Sequence, residues 1–103
     1  MPVLDVNNLA AFEAKAEQAA RLLKLLANER RLLILCQLIE SGEMAVSPLA
    51  RAVGLSQSAL SQHLGRMREE GLVTFRRDAQ TLHSRVSDPN ASRILALLAE
   101  LYC

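Results

Sequence analysis

A mainly α-helical chain with one small β-hairpin is predicted by three features of the sequence. Apolar residues recur at helical spacing over residues 9–26, 28–40, 48–53, 56–70 and 89–103. Two β-prone runs, Leu72 to Arg77 and Thr81 to Val86, flank the short polar stretch Asp78-Ala79-Gln80. Start and stop residues stand where the helical patterns begin and end: Asn28, Ser56 and Asp88-Pro89 at starts, Gly42 and Gly71 at stops.

The bounds are simple. The chain has 103 residues, enough for one domain spanning 1–103. Half of it is apolar, yet only Phe12, Phe75 and Tyr102 are aromatic, so the core must be aliphatic. No apolar run approaches the ~20 residues needed to cross a membrane. The start, Met-Pro-Val-Leu-Asp-Val-Asn-Asn, lacks the basic and apolar regions of a secretory signal, so a cytoplasmic location is expected. Net charge is +1, unevenly spread. Residues 51–85 hold six arginines against three acids, or +3, whereas residues 1–50 and 86–103 each come to −1. No repeat or low-complexity segment interrupts the pattern.

In the first helix, 9–26, Leu9, Phe12, Ala16, Ala19, Leu23 and Leu26 form a seam with alternating steps of three and four. A second apolar set, Ala20, Leu22 and Leu25, lies off that seam. The second helix is capped by Asn28 and runs to about Glu40. Leu32, Leu33, Ile34, Leu35, Leu38 and Ile39 make it apolar nearly all round, so it is expected to be the buried centre. Ser41-Gly42 ends it. A third, shorter helix spans Pro48 to Val53, with proline tolerated in its first turn. The tight link Gly54-Leu55-Ser56 leads to the fourth. The last helix, 89–103, carries Ile94, Leu95, Leu97, Leu98, Leu101 and Tyr102 over a wide arc. Apolar surface at both ends of one small chain predicts a two-fold dimer through the terminal helices, with Leu9, Phe12, Ala16, Ala19, Leu23, Ile94, Leu98 and Leu101 in the contact.

The fourth helix is the centre of the functional reading. Leu60, Leu64 and Met67 share one stripe, bordered by Ala59 and by His63, which fits a structural role. The opposite face carries Ser58, Ser61, Gln62 and Gly65, with Ser56 and Gln57 at the start and Arg66 on the flank. Hydroxyls and carboxamides there suit the mixed donors and acceptors of base edges, where a solvated helix ordinarily carries Lys and Glu. Two short helices joined tightly and followed by an arginine-bearing hairpin describe a winged helix-turn-helix. The expected contacts are Gln57, Ser58, Ser61 and Gln62 in the major groove of double-stranded operator DNA. Arg66, Arg76, Arg77 and Gln80 fall to phosphates or the minor groove, and Ser47 to a phosphate from the third helix.

The stretches Leu-Leu-Lys-Leu-Leu-Ala-Asn-Glu-Arg-Arg-Leu-Leu-Ile-Leu and Leu-Ser-Gln-Ser-Ala-Leu-Ser-Gln-His-Leu, in this order of elements, closely resemble the ArsR-type repressors. The resemblance covers residues about 9–103. It implies a dimeric bacterial transcription regulator released from its operator by a chemical signal, without catalysis and without a cofactor. Members that sense soft metals carry a Cys-x-Cys pair where this chain has Met44-Ala45-Val46-Ser47-Pro48-Leu49. Members that sense zinc use Asp and His along the last helix, where Asp88 here is followed by no histidine. No metal site is therefore expected.

The remaining candidates are Cys36 and Cys103, the two cysteines of the chain. Their positions resemble the BigR, SqrR, YgaV and HlyU branch, which implies a thiol switch answering persulfides and related oxidants, with Cys36 attacking and Cys103 as its partner. The residues alone fit core-filling thiols equally well. Glu29 and Glu40 flank Cys36 around its helix and oppose a thiolate, so a basic group such as Arg30, Arg31 or one from the partner subunit is required. Two alternatives stay open: a repressor sensing a metal or small ligand at an unusual site, and a dithiol redox protein, which would want a Cys-x-x-Cys that is not visible.

Overall fold

The computed structural model describes residues 6–102. The order is α1 (Val6–Leu26), α2 (Glu29–Ser41), β1 (Met44–Ala45), α3 (Val46–Val53), α4 (Gln57–Glu69), β2 (Val73–Asp78), β3 (Thr81–Val86) and α5 (Pro89–Tyr102). Position 103, and with it the expected thiol of Cys103, lies outside the described residues.

Both boundaries of α2 and the start of α5 have local causes. The Asn28 side chain accepts the N–H of Arg31 at 3.0 Å and opens α2, and Gly42, at φ 81°, donates to the carbonyl of Leu38 to close it. Asp88 accepts from the N–H groups of Asn90 and Ala91 at 2.8 and 3.1 Å, and Pro89 supplies the first residue of α5. The carboxylate of Asp88 is thus a helix cap.

The core is aliphatic, as composition requires. Ile34, Leu35 and Leu38 of α2 pack against Leu49 and Ala50 of α3, the Leu60, Leu64 and Met67 stripe of α4, Leu72 and Val73 at the base of the hairpin, and Ala91 and Leu95 of α5. The two apolar faces of α1 separate. The off-seam residues Leu22 and Leu25, with the seam's last member Leu26, join this core. Leu9, Phe12 and Leu23 of the seam stay exposed, and Ala16 and Ala19 half-buried. Leu26 is the one fully buried residue of α1 among those described, so most of this helix stands off the body of a molecule measuring 52 × 27 × 21 Å.

Four expectations are corrected. The second helix is not buried all round: Leu33 is 47% exposed, because its side of α2 borders a groove against α5. The third helix begins at Val46, two residues early, which places Pro48 third in its first turn, where no intrahelical N–H bond is lost. The hairpin is part of a three-stranded antiparallel sheet ordered β1-β3-β2. The extra strand is short, pairing Met44 with Ser84 and Ala45 with His83. Lastly, Asp78 belongs to β2 and pairs with Thr81, so the turn is Ala79-Gln80 alone, with Ala79 at φ 56°.

Candidate nucleic-acid interface

The reading helix is held at both ends. Ser56 accepts the N–H of Ala59 at 3.1 Å and caps the start of α4. At its end Gly71 takes φ 79°, its N–H donating to the Arg68 carbonyl at 3.0 Å while Leu72 donates to that of Met67 at 2.9 Å. These two bonds make a Schellman closure, and its apolar partners Leu72 and Met67 are both buried. Ahead of it, Gly54 at φ 71° turns the chain from α3, with Leu55 donating to the carbonyl of Ala50 at 3.0 Å.

With Leu60, Leu64 and Met67 in the core, Gln57, Ser58, Ser61, Gln62 and Arg66 are left exposed together, and Ser56 beside them. Ala59 and His63 are half-buried at the border. Gly65 departs from expectation. It faces the sheet and lines a small cavity of about 110 Å³ with Val46, Ser61, Leu64, Phe75, Leu82 and Ser84. The hydroxyl of Ser84 is wholly buried and has no hydrogen-bond partner among the described residues.

The wing is anchored to α4 by a contact that sequence reasoning missed. The guanidinium carbon of Arg68 lies 5.0 Å from the centroid of the Phe75 ring. Strand alternation then sorts the arginines. Pairing of Phe75 with Ser84 and of Arg77 with Leu82 places Arg77 on the sheet face turned toward α4. Arg76, opposite His83, falls on the other face, where its guanidinium forks onto Glu43 with Nη2–Oε1 at 2.7 Å. Both arginines are exposed, as is Gln80 in the turn. Ser47 and Gln80 line one shallow depression of about 280 Å³ between the start of α3 and the wing turn, and Ser47 accepts from Arg51 at 3.0 Å.

The fold thus gathers Ser47, Ser56, Gln57, Ser58, Ser61, Gln62, Arg66, Arg77 and Gln80 on α3, α4 and the wing, and turns Arg76 aside. Cys36 lies elsewhere, half-buried in a groove of about 630 Å³ between α2 and α5, with Glu29, Leu33, Glu40, Leu98 and Tyr102 among its walls. No lysine or arginine lines that groove among the described residues. Arg31, expected as a possible source of charge for Cys36, does not line the groove and is engaged elsewhere, with Nη1 2.7 Å from the Leu25 carbonyl and 3.0 Å from a Glu70 oxygen.

Known proteins share these features. The model of the family described as "Bacterial regulatory protein, arsR family" matches residues 28–74. The HTH-type transcriptional regulator YgaV of Escherichia coli is 46% identical over 98 residues, covering 95% of this chain and 99% of YgaV. The crystal structure of the transcriptional regulator HlyU from Vibrio vulnificus superposes with a TM-score of 0.86 at 46% identity, covering 93% of this chain and 99% of that one. The homodimeric winged helix-turn-helix DNA-binding domain Mb0332 from Mycobacterium bovis, a possible ArsR-family regulator, gives a TM-score of 0.71 at 36% identity over 86% of this chain and 82% of that one. Similarity of this extent across the helix-turn-helix and the wing places the chain in the ArsR family, as a DNA-binding transcriptional regulator and not an enzyme.

Proposed function

We propose that this protein is a cytoplasmic, homodimeric repressor, one winged-helix domain over 1–103, whose operator affinity falls when Cys36 and Cys103 react with persulfides. The DNA-binding part is carried by the exposed hydroxyl and carboxamide face of α4. Gln57, Ser58, Ser61 and Gln62 read base edges, with Ser56 beside them at the helix start. Arg66, Arg77, Gln80 and Ser47 meet the backbone, and Arg76 stands apart on the far face of the wing.

The dimer contact is the apolar surface at the two ends of the chain, with Leu9, Phe12 and Leu23 of α1 and Leu101 of α5 exposed, and Ala16, Ala19, Ile94 and Leu98 half-buried beside them. Phe12 at 49% and Leu101 at 65% exposure are costly to leave in water, and a second copy would cover them. A two-fold pair would set the two α4 helices one turn of DNA apart, about 34–36 Å. Homodimerisation of the M. bovis domain is in keeping with this.

One observation supports the sensing part: Cys36 opens into the groove that Tyr102, the residue before position 103, also lines. The chemistry balances without a further oxidant. The Cys36 thiolate attacks the outer sulfur of a persulfide RSSH, leaving Cys36–SSH and the thiol RSH. The Cys103 thiolate then displaces hydrogen sulfide, closing a disulfide. A second persulfide consumed in the same way leaves one more sulfur in the bridge and a second RSH. Either bridge would tie α2 to the end of α5 and shift the dimer helix against the DNA-reading core.

Mass spectrometry after treatment with glutathione persulfide, paired with operator affinity, tests the whole. A bridge between residues 36 and 103 with weakened binding is expected, and Cys36→Ser should stay bound to DNA throughout. Treated protein that carries the bridge yet binds unchanged would end the sensing reading.

A further inference from the structure

Arg76, an exposed cation of the wing, is held by a carboxylate from outside the hairpin. Glu43 lies between α2 and β1, and its carboxylate takes three contacts from Arg76: Nη2–Oε1 at 2.7 Å, Nε–Oε2 at 3.2 Å and Nε–Oε1 at 3.3 Å. A fork of this kind fixes the guanidinium in orientation as well as in place. The partners are 33 residues apart in sequence and meet because β1 joins the sheet beside β3. Arg76 therefore points away from the face that carries Phe75, Ser84 and Arg77.

We propose that Glu43 is a positioning residue that withholds Arg76 from DNA, so that the wing meets the backbone through Arg77 and Gln80 without the charge of Arg76, and nonspecific affinity is held down. The inference rests on the reading of the wing as a backbone contact. Each phosphate a protein neutralises adds about 0.9 to the steepness with which log affinity falls with log salt. Glu43 keeps one such increment per protomer out of the complex. A regulator that must be released by a chemical signal benefits from this restraint, because surplus sequence-independent affinity would hold it on DNA after the signal arrives.

The test uses the full chain and a mixed-sequence DNA duplex, with affinity measured over a range of sodium chloride. Glu43→Gln and Glu43→Ala should both steepen the salt slope by about 0.9 per protomer and tighten binding several-fold at low salt. Arg76→Gln should leave the slope where it is, and Glu43→Gln with Arg76→Gln should return it to the wild-type value. A steeper slope persisting in that double variant would mean that lost negative charge, not a freed Arg76, is responsible, and would overturn the proposal. So would a flatter slope in Arg76→Gln alone. Arg77→Ala separates the two layers. If it flattens the slope while neither Glu43 variant steepens it, the proposal alone falls; if it has no effect, the reading of the wing falls and the proposal with it.

Discussion

Arg31 joins three helices through one nitrogen, its Nη1 lying 3.0 Å from Glu70 at the end of α4 and 2.7 Å from the carbonyl of Leu25 in α1. The two side chains are only 14% and 31% exposed, so water screens this pair less than a surface pair. Arg31→Ala would strand the Glu70 carboxylate and one α1 carbonyl. A loss of about 1–3 kcal/mol in unfolding free energy is expected from removing a charge-assisted hydrogen bond of this kind. Urea denaturation checks it. Affinity for DNA at low temperature should hardly change, because the exposed face of α4 is untouched.

Gly65 offers a gain. It sits inside α4, and a Cβ built on it meets nothing within 4 Å. Glycine in a helix interior is less favourable than alanine by about 0.8–1.0 kcal/mol. Gly65→Ala should raise stability by up to that amount, read as a higher thermal midpoint, while adding a methyl group at the cavity beside Phe75 and Ser84.

The apolar seam of α1 makes a prediction about assembly. Phe12→Asp alters a residue outside the aliphatic core, so helical content should persist. Sedimentation should show a monomer where the wild type gives a dimer, and operator affinity should fall with the lost second half-site.

The Glu43–Arg76 pair fixes the sign of one pH effect. The hydrogen bond from the Arg76 side chain, acting against desolvation and with lesser help from the charges of Arg76, His83 and Arg85, holds the Glu43 carboxyl below its ordinary value of 4.5. A carboxylate so depressed contributes stability that is present above its unfolded value and lost as pH falls through the folded one. Glu43 followed by NMR should titrate below the ordinary carboxylate range, and Arg76→Gln should move its midpoint back up.

Much of this was legible in the sequence for local reasons. Ser56, the Leu60-Leu64-Met67 stripe and Gly71 mark α4 because a cap, an apolar period and a left-handed stop act within a few residues of one another. Asp88 and Pro89 mark α5 likewise. What escaped was tertiary. Met44 and Ala45 have no period to read, and they become a strand only because β3 lies alongside. Leu33 carries the same apolar signal as its neighbours, and only the position of α5 leaves it open. Arg68 meets Phe75, and Glu43 meets Arg76, across a fold that no spacing rule foretells. The parting of Arg76 from Arg77 was readable from strand alternation, yet grouping them by charge hides it.

The Schellman closure after α4 has a mechanical corollary. Leu72 donates to the last turn of the helix and Val73 already pairs with Val86, so no slack residue separates the recognition element from the sheet. Helix and hairpin must tilt as one piece. Under the proposed function, an inducing signal would change the distance or angle between two such pieces more readily than the shape of either, and loss of the operator would then be a failure of spacing across the two-fold axis.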